Sequence, residues 1–498
     1  MEPYESYLPP TEPKPMFPTK VKELFFGLGC LISGLLLVNS VYVGGFQLGF
    51  AVAAILSIAL GIGYLLYRGC KPSGYSVAIL ALCAVIAGAF ARTDDGFVKF
   101  VMVCFLLVGV NLGFCLLAGK NRRDPGGAGT LKDAGYTFFL LGFGQMPSAT
   151  RGLSDGLRNG SSIGRKSGAV LLGLCLCVPV LAILIPLLMS ADAAFEALLD
   201  MAPSISFGEI FATLLFGLPF ALFQYTRGTA LKHHPSAPLA AKVKKGLSPI
   251  TVNTVLCSVC LLYGVYLFSQ LSYFIGGFAG LLPQEYTLAE YARRGFFEMA
   301  MVCAINLGII ILSLSLVAHS DRAPLSTRLL CLLVGLATLF FVTAASAKMF
   351  LYIGSYGLTR LRVLTQVIMG FLGLVTVFVC IWLFVPRMPY MKAIVLTALV
   401  IGALVSWTDI DTQVAKYNVD AYLSGKMETV DTSHLRTLGN GATAHILHLA
   451  QEAEDTSVAY KARILLRNRQ AEPDTDLRCW NYVNQKTASL LKDYFAED

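Results

Sequence analysis

Apolar runs of about 20 residues recur along most of this chain, and a helix of about that length is what crosses a hydrocarbon core about 30 Å thick. No single soluble core accounts for so many runs in 498 residues. Composition agrees: 55% of the residues are hydrophobic and 14% charged, against about 25% charged in a soluble domain. Lipid is therefore the expected solvent. The runs place spans near Leu24–Val43, Phe46–Tyr67, Tyr75–Ala91, Phe97–Ala118, Gly168–Ser190, Phe207–Tyr225, Ile250–Tyr273, Phe296–Ala318, Leu329–Tyr352, Val363–Val385 and Met391–Thr408.

Basic residues set the orientation. With the N-terminus inside, the cytoplasmic segments hold 22 Lys and Arg, Lys120, Arg122, Arg123, Arg165, Lys166, Lys242, Lys244 and Lys245 among them, and the external loops hold seven. Cytoplasmic flanks carry such an excess, so the chain is expected to run N-in and C-out. The net charge of +8 then reflects membrane flanks, and no nucleic-acid partner is expected.

The expected fold is all-α: a polytopic transmembrane helix bundle of about eleven spans, with a small all-helical extracytoplasmic C-terminal domain. Residues 1–19, with six prolines, read as a disordered cytoplasmic arm and not as a cleaved signal peptide. Residues 20–408 form the bundle, interrupted by a basic, glycine-rich cytoplasmic loop at 119–167. Within that loop Tyr136–Phe143 is apolar but too short to span, and reads as an interfacial or re-entrant piece. The run Gly160–Ser167 has the wrong glycine-to-lysine spacing for a phosphate loop. From Asp409 the composition turns soluble, with amphipathic patterns at Gln413–Leu423, Thr432–Leu438, Ala442–Ala453, Ser457–Arg469 and Trp480–Tyr494.

Charge is costly in a bilayer, so charged groups at span ends are candidates for function. They gather on one side. The candidate outer polar cluster comprises Asp192, Glu196, Glu209, Arg293, Arg294, Glu298, Lys348, Tyr352, Arg360 and Arg362, with Tyr356, Asp409 and Asp411 nearby. Glu298 and Lys348 fall at equal depth in an antiparallel hairpin turning at His319–Thr327, which makes an ion pair between them a hypothesis; snorkelling of Lys348 and pairing of Glu298 with Arg294 is the plainer alternative. Mid-span Asn111 and Asn306 suit interhelical hydrogen bonds or a lined path. Pro179, Pro186 and Pro219 are expected to kink their helices.

Of the 13 cysteines, most sit in apolar runs as small hydrophobes. Cys257 and Cys260 form a CxxC inside a span without a second pair, which is weak metal or redox geometry. His445, His448 and Glu452 share a helix face without a fourth ligand, and adjacent Asp94 and Asp95 read as solvated loop acids. Neither a metal nor a cofactor is expected.

Four separated segments resemble one family. They are Ser190–Phe195 (Ser-Ala-Asp-Ala-Ala-Phe), Tyr291–Glu298, Leu351–Ile353 with Tyr356–Arg362, and Asn418–Gly425. Together, over residues 130–495, they resemble a family of bacterial multipass membrane proteins catalogued only as a domain of unknown function. The resemblance implies a bacterial cytoplasmic membrane location and supplies no activity. Ala193 stands where that family usually has proline, and His445 and His448 fall where it does not mark histidine. The resemblance puts the shared features at the outer face.

The favoured expectation is a non-enzymatic sensor or envelope-assembly scaffold acting through that face, with the lipid bilayer and either an envelope protein or a small-molecule ligand as partners. A small-solute or ion transporter is the alternative, although no inverted repeat and no charge at the bilayer midplane is seen. An envelope enzyme on a lipid-linked substrate is the third.

Overall fold

The computed structural model describes residues 21–121, 127, 129–151, 207–233, 246–278, 296–317, 323–469 and 476–497, with isolated positions between 180 and 191. Among these residues the structure is helical, with one isolated bridge, Leu247 to Val317. Ten of the helices are long and apolar enough to cross a membrane. The expected fifth span at Gly168–Ser190 and the arm at 1–19 lie outside the described residues. The chain divides into two compact units: 1–124 with 129–238 and 474–482, and 125–128 with 239–473 and 483–498.

The first unit contains α1 (Val21–Gly44), α2 (Leu48–Tyr67), α3 (Gly74–Gly88), α4 (Gly96–Leu117), the short α5 (Thr130–Gly135) and α6 (Phe207–His233). Each apolar run ends where the sequence supplies a stop. Gly45, Gly69 and Gly119 take positive φ values of 65°, 79° and 63° after α1, α2 and α4, a conformation side chains resist. Ser73 and Ser76 close a capping box on α3, and Asp95 caps α4 by accepting from the Phe97 and Val98 amides at 2.8 and 3.0 Å. Asp95 is thus a helix cap and not a freely solvated acid.

Lipid gives no hydrophobic drive between helices, so close packing must come from small residues. A Cβ on Gly34 in α1 would come within 2.9 Å of Ala221 and of the Gly217 carbonyl in α6, so the two helices meet backbone to backbone. Phe26 stacks on Tyr64 with centroids 3.9 Å apart. Ser33 and Ser57 hydroxyls sit 2.5 Å apart across α1 and α2. The apolar Tyr136–Phe143 forms a π-helical turn after α5, with Phe138 and Phe143 against Phe223 of α6 at 5.3 and 4.8 Å between centroids.

The second unit contains α7 (Pro249–Phe278), α8 (Phe296–Leu316), α9 (Leu325–Tyr356), α10 (Arg360–Phe384), α11 (Tyr390–Trp407), α12 (Ile410–Leu423), α13 (Thr432–Thr437), α14 (Thr443–Glu452), α15 (Thr456–Arg467) and, past its first residue, α16 (Tyr482–Glu497). Met299 and Cys303 of α8 pack with Phe341, Ala345 and Met349 of α9 and Met369 of α10. Asn306 crosses three helices: it accepts from the Tyr263 hydroxyl of α7, and its amide donates to Thr338 Oγ1 of α9 at 2.9 Å. Asp409, Asp431 and Asp455 cap α12, α13 and α15, while Ile446, Leu449 and Ala450 of α14 and Ala462, Leu465 and Leu466 of α15 supply the buried faces.

Candidate functional site

Two side chains that carry charge at helix ends, Glu209 in the first unit and Arg360 in the second, are engaged by the C-terminal tail. In the first unit, residues 476–482 lie across the end formed by the α1–α2 turn, the α3–α4 turn and the start of α6. Arg478 is the anchor. Its Nη1 donates to Glu209 Oε1 at 2.6 Å and to Asn39 Oδ1 at 2.8 Å, while Nη2 donates to Asp476 Oδ2 at 2.7 Å. Asn39 in turn donates to Glu209 at 2.7 Å. The planar guanidinium fork suits two acids at once. Hydrogen bonds from the Arg478 side chain and backbone hold the Asp476 carboxyl below the usual carboxylate range.

Backbone pairing completes this junction. Leu48 and Gly49 amides donate to Trp480 and Arg478 carbonyls at 3.2 and 3.3 Å. Asn481, 1% exposed, donates to Gln47 Oε1 at 2.8 Å and the Thr93 carbonyl at 3.0 Å. Gly44 faces the Arg478 carbonyl so closely that no Cβ fits. Arg92 lies over the Tyr482 ring at 5.4 Å.

In the second unit the junction forms where α9 turns into α10. Gly357 there has φ 74° and ψ −179°, a region open essentially to glycine alone. Asn418 of α12 fits against that turn, accepting from the Leu358 amide at 2.7 Å and donating to its carbonyl at 2.9 Å. Arg360 forms a bidentate pair with Asp411, whose Oδ2 also accepts from the Gly439 amide at 2.6 Å. Arg469 extends the network, donating to the carbonyls of Gly439 and Leu438 at 2.6 and 3.0 Å. Arg362 turns back on its own loop: it donates to the Tyr356 and Gly357 carbonyls and stacks over the Tyr352 ring at 4.2 Å.

His434 stands beside this network. Burial pushes its pKa down, Asp431 opposes, and the Arg362 and Arg360 charges push it down further. In the same unit, a groove of about 680 Å³ is lined by Gly354 and Leu358 and by Lys416, Tyr417, Asp420 and Lys426.

Of the expected outer cluster, Glu209, Tyr352, Arg360 and Arg362 are thus engaged in these junctions. Asp192, Glu196, Arg293 and Arg294 lie outside the described residues. Glu298 is exposed and Lys348 half-buried, and the ion pairs among the described residues do not include one between them.

Sequence reasoning missed Arg478 and Asp476 of the tail, and it also missed a charged residue within a membrane helix. The sixth span was expected to end at Tyr225, but α6 continues to His233 and carries Arg227 into the bundle. Arg227 is 8% exposed. Its Nη1 donates to Asn111 Oδ1 at 3.2 Å, and its guanidinium faces the Phe114 and Phe223 rings at 4.8 and 5.3 Å. At 1.5 Å rise per residue, Asn111 lies roughly 9 Å inside the Leu117 end of α4. The signal present in the sequence was Gln224 and Arg227 sharing a helix face within a run still rich in small residues, Gly228, Thr229 and Ala230.

A family model described as Domain of unknown function (DUF4153) matches residues 54–449. The chain belongs to this family. The match starts earlier than the four resembling segments and contains all of them, so the DUF4153 chain includes most of the first unit as well as the α9–α12 junction. No curated protein and no solved structure matches it. Family membership with ten membrane-length helices makes this a multipass membrane protein.

Proposed function

We propose that the protein is a non-enzymatic sensor or envelope-assembly scaffold of the bacterial cytoplasmic membrane, working through its outer face and C-terminal tail. The observation that carries this reading is the use made of the charged helix ends: Glu209 and Arg360 are spent on Arg478 and Asp411 of the tail, an arrangement that braces a surface. The orientation read from the basic residues puts these ends outside. The groove beside Lys416, Asp420 and Lys426 falls in the size range of small-ligand sites, and is where a partner at the outer face would be met. The first unit's membrane-facing groove is walled mainly by Phe, Leu, Val and Ile side chains, which speaks for a packed bundle over a polar transport path.

The test is genetic. Removing residues 409–498 is expected to reproduce the phenotype of losing the whole protein, while Asp94→Ala with Asp95→Ala, at normal membrane levels, leaves function intact. Loss of function in the double alanine variant would favour the enzyme. A dispensable tail combined with solute-uptake loss on Lys348→Ala would favour transport.

A further inference from the structure

Arg227 is a nine-tenths-buried cation inside the membrane part of the first unit, and its one hydrogen-bond acceptor among the described residues is the neutral Asn111 Oδ1. None of the ion pairs among those residues includes it. A guanidinium carries five donors, and in a low-dielectric site a cation without an anion calls for one. Arg227 closes one end of a groove of about 230 Å³ that opens between α2, α4 and α6.

The walls of that groove specify its occupant. Around Arg227 stand Asn111, Ser57 and Gln224; away from it the lining becomes wholly apolar, through Ala54, Val103 and Leu107 to Phe46 and Phe50. Leu107 and Phe46 are 45% and 38% exposed, so the groove is open on the face that lipid tails cover. From Ser57 to Phe50 along α2 the lining runs roughly 10 Å at 1.5 Å per residue, and Phe46 lies beyond the helix start. One polar end holding a planar cation and one long apolar end open to the bilayer match an amphiphile with an anionic head.

We infer that the groove binds an acidic phospholipid from the leaflet on the side away from the tail junction, its phosphate on the Arg227 guanidinium and one acyl chain along α2 towards Phe50. A phosphate offers two oxygens to the guanidinium fork, and Asn111, fixed by its own donation to the Leu107 carbonyl at 2.7 Å, holds the guanidinium in place. Phe114 and Phe223 flank the cation on their ring faces, which keeps it oriented without neutralising it.

The experiment is native mass spectrometry of the full-length protein in detergent, titrated with dioleoyl phosphatidylglycerol or with dioleoyl phosphatidylcholine. The wild type should retain one phosphatidylglycerol at least tenfold better than phosphatidylcholine. Arg227→Gln should erase that preference, and Arg227→Lys should keep part of it. Ala54→Trp, which fills the groove and leaves the arginine in place, should lose the retained lipid; it keeps the test decisive if Arg227→Gln fails to fold. Equal retention of the two lipids by the wild type, or an undiminished preference in Arg227→Gln or Ala54→Trp, would overturn the inference.

Discussion

Asp411→Ala is the substitution whose cost can be worked most completely. The Asp411 side chain is 6% exposed and takes both guanidinium bonds of Arg360 and the Gly439 amide. Removing one partner of a buried ion pair costs about 3–5 kcal/mol, and a lost hydrogen bond to a charged group about 1.5–3 kcal/mol. These overlap, and Arg360, 36% exposed at its side chain, regains water when its partner goes. The expected loss is therefore about 2–4 kcal/mol, confined to the tail helices of the second unit. Limited proteolysis of the detergent-solubilised protein during thermal melting reads it, as earlier cleavage within 424–442 while the membrane helices stay intact. Arg360→Met alone should cost at least as much, because it leaves the buried Asp411 carboxylate without its cation, and the double variant should cost less than the two singles together by about 1–3 kcal/mol. A single-variant effect under about 0.5 kcal/mol, the range of ordinary surface changes, would refute the reasoning.

Three further outcomes follow from the same geometry. Arg478→Ala frees the 476–482 segment from Glu209 and Asn39, so maleimide labelling of Cys479, now donating to the Val43 carbonyl at 3.6 Å, should rise severalfold; unchanged labelling would mean that the backbone pairing alone suffices. Gly357→Ala forces a side chain into a glycine-only region and puts its Cβ 2.5 Å from Asn418 Oδ1, so the second-unit junction should weaken by about 1–3 kcal/mol, read by the same proteolysis. His434 has a folded pKa below its unfolded value of about 6.5; the folded state binds fewer protons, so junction stability is full above that pH and falls as the pH drops below it. His434→Leu should flatten that decline in melts taken across the acid range.

How far the sequence could be read depended on the range of the signal. Apolar runs and their caps are local, and the helices at Thr432, Thr443, Thr456 and Tyr482 begin within two residues of where the amphipathic patterns begin. The Arg478 junction is not local: it joins residues 439 and 269 positions apart, and no spacing rule links a tail arginine to Asn39 or Glu209. Equal depth alone proposed Glu298 and Lys348 as partners, but rotation about each helix decides contact, and α8 meets α9 instead through Asn306 and Thr338. Arg227 was lost because a charged residue lowers window hydropathy at the point where the helix runs on, and one of the two rings that cover it, Phe114 of α4, is remote in sequence, while Phe223 lies one turn earlier on α6.

The proposed function needs the tail on the outer side of the membrane, and two reporter fusions read that side. Alkaline phosphatase, active only outside the cytoplasm, and green fluorescent protein, fluorescent only within it, would each be fused after Asp498. An active phosphatase fusion and a dark fluorescent one are expected; the reverse pattern would contradict an outer tail.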